Sequence, residues 1–159
     1  MKTIVPSILA RADSGARLVA ILAAAIMVCV VTAQVVMRYG FNASFDWADE
    51  VSRLAFVTTI FVAIPLGIRD GTHVGVDLMV DRLPLLPRRL VRRFTSALGG
   101  AMLLIVTWAT FDVAAATWTE RMGAIDITSS VFFFPVIAGA LHSALHLLHM
   151  AVDPDTPLP

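Results

Sequence analysis

Three histidines late in the chain, His142, His146 and His149, stand at i, i+4 and i+7, a spacing that puts all three on one face of a helix. Imidazoles so placed can ligate a metal or a haem. A bis-histidine haem needs a second helix offering a histidine at equal depth, and the remaining one, His73, lies in a polar connection. A zinc site wants cysteine or carboxylate ligands, and none stands near the three in sequence. The expected role is therefore polar contact between helices, with no metal and no catalytic residue in this chain.

Asp112 and Arg53 are the second set. Each falls within a long apolar run, where an ionisable side chain needs a named partner. Asp112 lies about six residues, roughly 9 Å, below the outer end of its run near Trp118, and Arg53 about seven residues below the outer start of the second helix at Asp46. Equal depth predicts an interhelical Arg53–Asp112 ion pair; solvation of Asp112 at headgroup level beside Trp108 is the alternative. Nucleophile elbows, Gly-rich phosphate loops, Walker sequences and His-Glu-x-x-His patterns are all missing from the sequence, so a non-enzyme is expected.

The elements that must position these residues are set by composition. Of 159 residues, 58% are hydrophobic and 15% charged, with a mean hydropathy of +0.82. A soluble domain has about 45–50% apolar and about 25% charged residues, so this chain belongs in a bilayer. Its net charge of zero gives no footprint for nucleic acid, and the single Cys29 excludes an intrachain disulfide. No internal repeat or low-complexity block is present.

Four crossings are expected, at about 18–36, 51–68, 95–118 and 131–148, making 1–150 one all-α transmembrane domain and 151–159 a loose tail. The first run spans about 28 Å. Val31, Thr32 and Ala33 resemble a cleavage site, but the run is long for a signal core, and an uncleaved helix is expected. Pro65 removes one hydrogen bond from the second helix. Gly99 and Gly100 allow close approach on the third, and Thr128, Ser129 and Ser130 can cap the fourth.

Between the second and third helices, Arg88, Arg89, Arg92 and Arg93 form a cationic stripe beside Leu85, Leu86, Leu90 and Phe94. This predicts an interfacial amphipathic segment facing anionic headgroups; a solvated basic loop is the bland alternative. Nine basic residues fall on the side of the N-terminus and the 69–93 connection, three on the other. That bias predicts both termini in the cytoplasm.

The stretch 38–84 carries a resemblance. Arg38, Tyr39, Phe41 and Asn42, then Trp47, Ala48, Glu50 and Arg53, then His73, Val76, Asp77, Leu83 and Pro84 follow the pattern of the small membrane subunit, Q type, of tripartite ATP-independent periplasmic (TRAP) transporters. The resemblance implies a bacterial inner-membrane subunit partnered with a large M-type transport subunit. It further implies that a periplasmic solute-binding protein (P type) delivers a carboxylate-bearing solute and that sodium drives uptake, with the ion held on the large subunit and no cofactor here. A small bundle would act as a stator, and small residues on helix one (Ala20, Ala23, Ala24, Ala25) permit close approach of another helix. Asp46, Asp49 and Glu50 open the second helix, and two roles stay open for them: capping the helix dipole, or docking the binding protein. A haem-binding anchor of an oxidoreductase and a stand-alone small transporter are the competing functions.

Overall fold

In this computed structural model the structure describes residues 4–69 and 84–152. Four long helices carry the fold: α1 (Ile4–Gly40), α2 (Ala48–Arg69), α3 (Leu85–Ala116) and α4 (Phe133–Val152), the last preceded by a 3-10 turn, Ser129–Phe132. Each is long and apolar enough to cross a membrane. Spanning segments satisfy every backbone polar group internally, which is why the apolar runs become helices.

The four stand in a row. α1 packs on α2, α2 on α4, and α4 on α3, so α2 and α4 are central and α1 and α3 flank them. Along α1 the buried and half-buried positions are Ala10 and Ala24 together with the series Leu9, Asp13, Ala16, Ala20, Ala23, Met27, Val30, Gln34 and Met37. The steps of that series alternate four and three, the 3.5-residue period of a left-handed coiled-coil seam. Small side chains at 16, 20 and 23 let the helices approach closely, while Leu18, Ile21, Leu22 and Val28 on the other faces are exposed and suited to lipid or a partner.

The central contact of the row depends on one proline. Pro65 is buried inside α2 and has no N–H, so the carbonyl of Phe61, four residues earlier, loses its usual helical donor. Gly139 of α4 covers that carbonyl, and a Cβ added at Gly139 would sit inside the Phe61 carbonyl group. Close Cα–H···O contacts of this kind are characteristic of tightly packed helix pairs. Gly99 and Gly100 do the same for α3 against Leu147 and Leu148, although there the neighbours are side chains.

Helix bounds depart from the expected crossings. α1 at 37 residues is about 55 Å long and α3 at 32 about 48 Å, both well beyond a hydrocarbon core of about 30 Å. An apolar run marks lipid thickness, whereas the backbone stays helical past it. Of the stretch expected to be interfacial, Arg88, Arg89, Arg92 and Arg93 lie in the opening turns of α3 and are continuous with the rest of that helix. Pro84 at the N-cap and Pro87 in the first turn fit there, since those N–H groups have no helical acceptor. Residues 72–83 of that segment, and with them His73 and Asp77, lie outside the described residues.

At the far end α1 stops at Gly40, and just beyond it Asn42 has a φ of 51°, which is left-handed. Asparagine tolerates that conformation better than other non-glycine residues. Phe41 and Ala43 both donate their N–H to the Met37 carbonyl at 3.1 Å, which closes the helix and turns the chain toward α2.

Candidate functional site

Two polar clusters sit at opposite ends of the row. At the end where α1 begins and α4 finishes, the seam places Asp13 against three side chains. Asp13 is 1% exposed. Its Oδ1 lies 2.9 Å from His146 Nε2 and 3.0 Å from His142 Nε2, and its Oδ2 lies 3.5 Å from Arg69 Nη1. The two imidazoles, one turn apart on α4, have their Nε2 atoms 3.2 Å from each other. Helices α1, α2 and α4 therefore converge on one carboxylate.

A buried carboxylate costs several kcal/mol unless it is paired and hydrogen-bonded. Here Arg69 supplies the countercharge, and an imidazole in the tautomer that carries its hydrogen on Nε2 supplies a donor. His146 is fully buried, while the His142 side chain keeps 15% of its surface. Beyond the triangle, His146 Nδ1, Ser143 Oγ and His149 Nε2 are enclosed without a hydrogen-bond partner among the described residues.

This geometry corrects one premise of the sequence reading. A carboxylate does stand at His142 and His146; it arrives from Asp13, 133 residues from His146. His149 takes no part in the triangle. His142 and His146 do not suit the two axial positions of one haem, because axial nitrogens on opposite sides of an iron stand about 4 Å apart at usual bond lengths of about 2.0 Å, and these two are on one helix at 3.2 Å. Asp13 and Arg69 were not among the expected site residues. The signal that could have found Asp13 was the alternating four-and-three spacing, which puts a charge on the packed face of α1.

The second cluster lies at the opposite end. The Glu50 carboxylate accepts the backbone N–H of Ala124 at 2.9 Å (Oε1) and of Ile125 at 2.8 Å (Oε2). Asp49 Oδ1 accepts from Gln34 Nε2 at 3.1 Å, tying α2 to α1. Of the three acids expected at this end, Asp46 and Asp49 are exposed and Glu50 is half-buried. The loop that Glu50 holds is closed by a bridge between Arg121 and Thr128 and by Met122 N–H donating to the Ile127 carbonyl at 3.0 Å. Thr128 Oγ1 accepts from Ser130 N–H as the cap of the 3-10 turn, and the buried Ser130 Oγ donates to the Ala114 carbonyl at 2.6 Å.

Arg53 lines an open groove of about 510 Å³ with Glu50, Glu120, Arg121, Phe132 and Phe133. It does not meet Asp112. Both side chains are exposed, and among the described residues no ion pair joins them. Depth was matched, but lateral position was not: α4 separates α2 from α3. Arg38 is exposed, as is Trp47, whose ring lies 5.4 Å from that of Phe45. At the start of α3, Arg89 and Arg93 are exposed and Arg88 and Arg92 half-buried.

Four apolar helices, exposed apolar flanks and polar clusters confined to the helix ends define a multi-pass membrane protein. Residues 27–156 match the sequence profile of the DctQ component of tripartite ATP-independent periplasmic transporters, and the chain belongs to that family, whose members are TRAP transporter subunits of the bacterial inner membrane. A provisionally named TRAP transporter small permease protein of Haemophilus influenzae is 27% identical over 129 residues, covering 81% of this chain and 78% of that protein. The C4-dicarboxylate TRAP transporter small permease protein DctQ of Vibrio cholerae is 32% identical over 85 residues, 52% of this chain and 37% of that one. The sialic acid TRAP transporter permease protein SiaT of Haemophilus influenzae matches over 102 residues at 21% identity, 64% of this chain but 16% of its own length.

Proposed function

We propose that the chain is the stator of a TRAP transporter: a rigid helix row that holds a large M-type subunit while the transport domain of that subunit moves. The observation that carries this reading is the row itself. α1 and α3 flank the row and leave apolar side chains exposed along their lengths, among them Leu18, Ile21 and Leu22 on α1 and Leu98, Met102 and Ile105 on α3. Such faces offer long lateral surfaces to a membrane partner, where packing and not the hydrophobic effect drives association. In this reading both termini are cytoplasmic by the charge bias. The solute is carboxylate-bearing, a periplasmic binding protein delivers it, sodium drives uptake from a site on the large subunit, and the chain itself catalyses no reaction.

Two measurements test it. Liposomes holding the large subunit with this chain should take up solute when given binding protein and a sodium gradient, and liposomes holding this chain alone should not. A crosslink between cysteines at Gln34→Cys and Asp49→Cys, in a Cys29→Ser background, ties α1 to α2 and should leave uptake as it is in the same protein with the two thiols reduced. Loss of uptake on crosslinking would show that the row rearranges during the cycle, and the stator reading would fail.

A further inference from the structure

We propose that Asp13, His142 and His146 form a binding site for one divalent transition-metal ion of the zinc type, at the end of the row where α1 begins and α4 finishes. The donor set is two imidazole nitrogens and one carboxylate oxygen, which suits zinc and neighbouring borderline ions better than calcium or magnesium, whose ligands are oxygens. The spacing also suits it. The three ligand atoms are separated by 2.9, 3.0 and 3.2 Å. A tetrahedral ion with bonds of about 2.0–2.1 Å holds its ligand atoms about 3.3–3.4 Å apart, so binding asks for shifts of a few tenths of an ångström.

Two further features are those of a built site. Arg69 approaches the other carboxylate oxygen, Oδ2, which leaves Oδ1 for monodentate ligation and fixes the plane of the group. The outward nitrogen of His146, Nδ1, is enclosed and unpartnered, and so is Ser143 Oγ one turn earlier on α4. With the ion on Nε2, Nδ1 carries the hydrogen and becomes a donor, the role in which the second nitrogen of a metal-bound imidazole engages a carboxylate, a carbonyl or water. The partial exposure of His142 provides a path to the site and room for water as the fourth ligand. The position of the cluster, joining three helices, makes the ion a structural clamp on α1.

The test uses the full chain in complex with its large subunit, washed with chelator and titrated with Zn²⁺ alone. Bound zinc is counted by elemental analysis, and Co²⁺ replaces it as an optical probe of tetrahedral ligation. The expected result is one saturable Zn²⁺ per chain, a visible Co²⁺ spectrum of tetrahedral intensity, and an affinity weakened about tenfold or more by His142→Ala. His149→Ala, outside the triangle, should bind as the parent does. Asp13→Asn should also lose binding; because it removes the charge that pairs with Arg69 and can loosen α1, the half-buried His142 position carries the decision. Saturable binding that His142→Ala leaves unchanged, or an absence of saturable binding in the parent, overturns the proposal. Neither result depends on uptake, so the site can fail while the stator reading stands.

Discussion

Removing the Glu50 carboxylate tests the loop end of the row. Its two oxygens accept the N–H groups of Ala124 and Ile125 at 2.9 and 2.8 Å, from a loop 74 and 75 residues away. A hydrogen bond contributes about 0.5–1.5 kcal/mol net, so two at a half-buried position hold the loop by about 1–3 kcal/mol. That range corresponds to a roughly 5- to 150-fold change in an opening equilibrium. Glu50→Ala should therefore raise hydrogen exchange at these two amides by such a factor, while the amides of α4 keep their protection. Glu50→Gln keeps one carbonyl acceptor and should give the smaller part of the effect. The neighbouring Asp46→Asn, which reaches neither amide, is the control. Unchanged exchange at 124 and 125 in Glu50→Ala would refute the reasoning, because it would mean that the backbone bonds between 120 and 129 hold the loop unaided.

Gly139→Ala should lower unfolding stability in detergent by about 1–3 kcal/mol, because the new Cβ meets the fixed Phe61 carbonyl, whereas Gly100→Ala presses on the flexible Leu148 side chain, touches the Ala144 carbonyl only at van der Waals distance, and should cost less. Equal costs at the two glycines would argue against the close α2–α4 contact. Arg53→Asp and Asp112→Arg, singly and together, should give additive stability changes in a double-mutant cycle, since the two side chains make no pair; a coupling above about 0.5 kcal/mol would contradict this. Asp46→Asn with Asp49→Asn should weaken binding-protein affinity if these exposed acids dock it, and titration calorimetry with the binding protein measures that directly.

How much of this was legible from residues alone depended on whether the signal was local. The four helices were readable because each apolar run needs internal hydrogen bonds in lipid, and Thr128 was readable as a cap from its own type and position. Helix ends were less so: polar turns such as Arg88–Arg93 continue a helix as readily as they interrupt one. The Glu50 carboxylate was expected to cap its own helix or to dock the binding protein; from the first turn of α2 it also holds a loop remote in sequence. The Arg53–Asp112 pair failed for a related reason. Hydropathy orders residues by depth along the membrane normal, and it carries no information on the side-to-side order of helices. The Asp13 cluster needed that order too, yet half of its signal was in plain view as a heptad seam with an acid in it.

The charge in that seam has a geometric consequence. A buried ion pair is weak evidence for stability, since desolvation offsets most of the attraction, but it can specify which alignment two helices adopt. On α1, Asp13 and Gln34 are 21 residues apart; on the antiparallel α2, their partners Arg69 and Asp49 are 20 apart. At 1.5 Å per residue both separations are about 30–32 Å, close to the thickness of the hydrocarbon core. Both clamps therefore close in the same alignment, one at each end of the crossing. A slip of one heptad moves the helices by about 10 Å, opens both clamps together and leaves Asp13 without its cation, while the alanine-rich seam between them would tolerate the shift. Packing alone leaves that choice open, and the two polar ties make it.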